Sequence, residues 1–199
     1  MKRRGFTVIE LLVIIIVIGI LAGIVLVGYG SMQLQARDAK IRDGASKISE
    51  AIELLYTKQG LSPADTKSGS GSSGTITTVN GNQQCSGGNG AGWFGKPTYS
   101  CTLEEVLVAN GYLASDYVAS LPANTKYAHY SGNPSRYSYM IYRCLASAAA
   151  GDYMLLYTLE EPDSRDTVGY DRAYNDCVPG PTKATFASYN MKGAKYIDL

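Results

Sequence analysis

The sequence predicts an α+β fold: one long N-terminal helix packed against a small antiparallel β-sheet. Two observations carry this. Apolar residues run unbroken from Leu11 to Val27 and then recur at Ile41, Ala45, Ile48, Ile52 and Leu55, in steps of four, three, four and three. Beyond residue 130 the period changes to two. A chain of 199 residues fits a single globular head carried on that helix.

Composition removes several function classes. Lys+Arg 18 against Asp+Glu 17 gives a net charge of +1, so no global basic field recruits nucleic acid. Three of the cations, Lys2, Arg3 and Arg4, precede the apolar run, and the rest of the chain is 15 against 17. The single histidine, His129, excludes any site needing two imidazoles. It has no identifiable nucleophile partner, and no catalytic constellation or cofactor motif occurs. Tyrosine occurs 16 times against 3 phenylalanines, which suggests thin β structure with a wet surface or a partly polar packed interface.

The first element is the apolar helix. Leu11–Val27 is 17 residues of apolar side chains and glycine, about 25 Å of helix, and with Phe6–Ile9 it reaches bilayer thickness. The cations before it predict a cytoplasmic N-terminal end, with everything from about Ser31 onward outside the membrane. A cleaved secretory signal and a plain anchor are the competing readings, and both leave Glu10 unexplained. A carboxylate inside an apolar helix calls for a partner.

Arg3-Arg4-Gly5-Phe6-Thr7-Val8-Ile9-Glu10-Leu11-Leu12-Val13 closely resembles the processing site of type IV prepilins and type II secretion pseudopilins. The resemblance implies a membrane peptidase that cuts after Gly5 and N-methylates Phe6, and an assembly role for Glu10 and Thr7. Cleavage would leave a cationic amine on Phe6 inside an apolar bundle, and Glu10 of a neighbouring copy would neutralise it. One pair in register is tolerable where two isolated charges are not. The implied partners are further copies of the chain in a helical filament, the prepilin peptidase, an assembly platform and, before assembly, the cytoplasmic membrane. The fibre would be extracellular or lie in the cell envelope.

On this reading residues 1–5 are a leader, 6–30 the filament-core helix, 31–60 its amphipathic continuation and 61–199 the head. Gly19 and Gly23 allow close helix packing. Gly28 and Gly30 each cost about 1 kcal/mol in a helix interior, and could loosen the helix where many pilins carry proline. Gly60 and Pro63 end it.

Residues 67–92 hold eight glycines and five serines in 26 positions, which predicts an irregular surface loop. Thr102-Leu103-Glu104-Glu105 has capping-box spacing and opens a short helix ending near Asn110-Gly111. Residues 136–145 and 152–160 alternate around a turn at 146–151, which reads as a hairpin. Thr185–Asn190, Ala194–Ile197 and Lys126–Ser131 are further candidate strands. Cys85, Cys101, Cys144 and Cys177 form no C-x-x-C pair and suit structural disulfides in an oxidising compartment. Three connectivities are open. Cys85–Cys101 would pin the glycine-rich loop, and Cys144–Cys177 would resemble the bridge closing the terminal region of many type IV pilins.

Asp163, Asp166, Asp171 and Asp176 read as a solvated acidic loop. The alternative is a calcium loop, as in major pseudopilins. Tyrosines among Arg136, Arg143, Arg165 and Arg172 could stack on bases, since some pili bind DNA, but core and surface tyrosine is the preferred account. The expected function is that of a structural, non-enzymatic subunit of a type IV pilus-like filament serving adhesion or twitching motility. The alternatives are a pseudopilin of a secretion or DNA-uptake system and, in another class, a membrane-anchored extracytoplasmic enzyme or binding domain.

Overall fold

The computed structural model describes residues 7–66, 75–86, 92–93, 101–117, 139–144, 152–177 and 191–199. Gly5, Phe6, His129 and the candidate strands Thr185–Asn190 and Lys126–Ser131 lie outside them. The chain divides into two compact units, Met1–Arg37 and Asp38–Leu199.

Helix α1, Val8–Gln59, contributes its first part to one unit and the remainder to the other, and it is continuous through Gly28–Gly30 in the single chain. In the first unit the large apolar side chains between Val8 and Ile24 are from 47% to 83% exposed. By length and composition α1 is long and apolar enough to cross a membrane. In the second unit the stripe Ile41, Ala45, Ile48, Ile52 and Leu55 is buried, each residue 3% exposed or less. Gly60 ends the helix with its N–H on the Tyr56 carbonyl, 2.7 Å away.

The main sheet has four antiparallel strands in the order β3-β4-β5-β6: Gly92–Trp93, Tyr139–Arg143, Tyr153–Thr158 and Met191–Ile197. Alternation sorts its two faces. Tyr139, Ile141, Tyr153, Leu155, Tyr157 and Ile197 join the α1 stripe in one core. Met140, Met154, Leu156 and Met191 face the other way into a second core. That core is closed by α3, Ser164–Cys177, through Ala173, Tyr174 and Cys177. Every residue of β5 is buried because helices cover both faces of its strand. Tyrosine suits these cores because its hydroxyl finds backbone at their margins. Tyr139 donates to the Ile41 carbonyl (2.9 Å) and Tyr153 accepts from the Ala64 N–H (2.8 Å).

Two expectations are corrected. The stretch 67–92 is not wholly irregular: β1, Ile76–Val79, and β2, Asn82–Cys85, form an antiparallel ribbon inside it. Asn80 and Gly81 have φ of +53° and +84°, the two positive values that a tight hairpin turn of matching twist requires. The acidic segment 163–176 is not a loop either. From Ser164 it is α3, whose Tyr170, Ala173, Tyr174 and Cys177 keep helical spacing toward the sheet.

Helix α2, Leu103–Ala109, opens on the capping box of Thr102 and Glu105. Its C-cap, Asn110, accepts from the Gln83 N–H (3.1 Å) and donates to the Gln83 carbonyl (2.9 Å), holding β2 as another strand would. The disulfides are Cys85–Cys101, joining β2 to the start of α2, and Cys144–Cys177, joining the end of β4 to the end of α3.

Candidate functional site

The residues singled out for assembly stand at the start of α1. Thr7 is its N-cap and Glu10 its third helical residue, and the two bond reciprocally. The Thr7 hydroxyl accepts from the Glu10 N–H at 3.3 Å, and Glu10 Oε2 accepts from the Thr7 N–H and hydroxyl, each at 2.8 Å. Thr-x-x-Glu is a capping-box pattern, so the segment carried a local signal that the assembly reading passes over. The box satisfies a donor that an apolar helix end would otherwise leave bare. It also occupies one carboxylate oxygen while no described residue bonds Oε1. Gly5 and Phe6 lie outside the described residues.

Asp163, Asp166 and Asp171 do not gather into one site, and the Asp176 side chain lies outside the described residues. Asp163 caps α3, accepting from the Arg165 and Asp166 N–H groups at 2.8 and 3.1 Å. Its other oxygen meets Arg165 Nη2 at 2.7 Å. The Arg165 guanidinium, with the helix-end N–H groups, holds the Asp163 carboxyl at about 2. Asp166 returns the cap by accepting from the Asp163 N–H at 2.8 Å. It also takes a two-pronged bond from Arg42, 2.9 Å from Nε and 2.6 Å from Nη2. Asp171 stands about 140° round the helix from Asp166. Among the described residues no three His, Cys, Asp or Glu side chains gather where they could hold a metal ion.

Sequence reasoning missed three side chains. Asp38, 1% exposed, accepts from the Glu160 and Glu161 N–H groups at 3.0 and 2.8 Å. One turn along, Arg42 holds Asp166, so a single face of α1 grips the chain at two points, the connection after β5 and the first turn of α3. Asn110 is the third. The partners of Asp38 and Arg42 lie more than 120 residues away, and nothing local announces them.

Residues 1–26 match the family model of the prokaryotic N-terminal methylation motif. A 79-residue stretch, 40% of the chain, is 34% identical to the fimbrial protein EcpC of Eikenella corrodens and spans about half (49%) of that protein's length. No solved structure matches the chain. The motif ends inside an apolar helix that continues as the spine of an α+β head, and the relative is fimbrial. The chain thus carries a prepilin-type N-terminal methylation motif and, over part of its length, is similar to a fimbrial protein.

Proposed function

We propose that this protein is the structural subunit of a type IV pilus-like surface filament, polymerised through the first half of α1 and serving adhesion or twitching motility. The observation that carries the proposal is the exposure of 13 large apolar side chains from Val8 to Ile24. Full burial of that many side chains is worth on the order of 20–40 kcal/mol, so lipid or other helices must cover them. A bilayer does so before assembly and neighbouring copies do so in the fibre. The fimbrial relative supports a pilus over a secretion pseudopilus.

Cleavage after Gly5 by a prepilin peptidase would expose the Phe6 amine next to Thr7. The Thr7–Glu10 box keeps the carboxylate from standing bare within an apolar segment while the subunit waits in the membrane. Glu10 Oε1 then accepts the methylated amine of a neighbour, and this pairing sets the axial stagger of the helices.

The test is the intact mass and N-terminal sequence of the protein sheared from the surface of cells that make it. A chain beginning at Phe6 with one added methyl group is expected. A chain beginning near Ser31, or one retaining Met1 and found only in membranes, overturns the proposal.

A further inference from the structure

Among the described residues, the ribbon of β1 and β2 is closed along one edge and open along the other. The Ser86 N–H bonds the Thr75 carbonyl at 3.0 Å, so the inward-bonding positions of β1 are residues 75, 77 and 79. The backbone groups of Ile76 and Thr78 therefore point away from β2. The same alternation turns Gln83 and Cys85 outward on β2, and there both find partners. Gln83 is held by the Asn110 amide, and the Cys85 N–H donates to the Thr66 carbonyl at 2.8 Å. No described residue meets the outward groups of Ile76 and Thr78. Thr77, Thr78 and Val79 are exposed.

Open strand edges are ordinarily blocked by lysine, proline or a bulge, because they template the addition of another strand. The outer strand β6 carries Lys192 and Lys195 and a register shift against β5. β1 has none of these, and no charged residue occurs between Lys67 and Lys96.

We propose that the β1 edge is a self-association surface whose occupant is β1 of a second copy, on a neighbouring filament. This rests on the filament reading above. A second copy fits on two counts. Two neutral segments meet without like-charge repulsion, and an antiparallel edge is self-complementary about a two-fold axis. Centred on Thr77, the pairing sets Ile76 of each copy opposite Thr78 of the other and forms about four backbone hydrogen bonds. Such a contact is too small to hold two free subunits together. Repeated along two fibres it becomes avid, and it bundles them.

The test uses filaments of the full chain, sheared and scored for bundles by electron microscopy and low-speed pelleting, with total filament measured by high-speed pelleting. Thr78→Pro removes an outward donor without touching the ribbon's own ladder. Thr78→Lys and Thr78→Glu leave the backbone intact and carry the test if the proline variant fails to fold. Wild-type filaments are expected in bundles. Each variant is expected to cut the low-speed fraction about fivefold or more at unchanged filament yield, and mixing Lys and Glu filaments is expected to restore bundles. Dispersed wild-type filaments, or variants that bundle as wild type does, overturn the self-association. Absence of wild-type filaments overturns the filament reading itself, and this inference with it.

Discussion

Gly193 lies opposite Tyr157 across β5 and β6, and a Cβ built there would overlap the tyrosine ring. The ring is buried on the α1 side of the sheet beside Arg42 and Asp166, so a methyl at position 193 must displace it from that packing. Gly193→Ala is expected to cost about 1–3 kcal/mol, as overpacking does, read by urea unfolding of the full chain in detergent. The Asp163 carboxyl gives a pH signature. Its folded pKa of about 2 lies below the ordinary value of 3.8, chiefly through the Arg165 hydrogen bond. Its contribution is therefore fully present above about pH 4 and is lost as the pH falls through about 2. Asp163→Asn keeps an N-cap side chain, and its unfolding midpoint is expected to fall less than wild type's between pH 4 and 2.

Among the elements, α3 shows how one segment can carry two signals. Its carboxylates and arginines read as a solvated loop, whereas Tyr170, Ala173, Tyr174 and Cys177 keep an apolar stripe at helical spacing. Burial against the second face of the sheet decides between them, since only a helix presents all four side chains to Met154 and Leu156. The β1–β2 ribbon is the parallel case: Val79-Asn80-Gly81-Asn82 is a strong hairpin signal, outweighed at the sequence level by the glycines and serines around it. The Cys144–Cys177 bridge fixes the far end of α3, while Arg42 and Asp38 fix the near end. Replacing both cysteines of this bridge with alanine is expected to cost about 4 kcal/mol, and both of Cys85–Cys101 about 3 kcal/mol, because the bridges close 33 and 16 residues of chain. Thermal unfolding under non-reducing conditions checks the order.

For the whole molecule, the decisive variant is Glu10→Gln. Glutamine at the third helical position still closes the box with Thr7, so the start of α1 is kept and only the charge is lost. The expected result is a fall of about tenfold or more in sheared filament, with membrane-bound subunit at the wild-type level, because the amine of an incoming neighbour has no carboxylate to meet. Immunoblots of sheared and membrane fractions measure both. Filaments at wild-type yield would separate Glu10 from assembly and leave it the capping role alone.

The sequence alone determined the features whose physics is local. A continuous apolar run needs covering whatever follows it. A stripe at steps of three and four forms one helix face, a Thr-x-x-Glu box caps a helix, and alternating tyrosines make strands. Tertiary structure decided what depends on residues distant in the chain. It sandwiched the sheet between α1 and α3. It turned Asp38 and Arg42 from spine surface into grips on the chain around residues 160–166, and used Asn110 to close the outer edge of β2, where no described residue closes that of β1. The reason is that a buried polar group is settled only by the partner that folding brings to it, and a sequence shows the group without the partner.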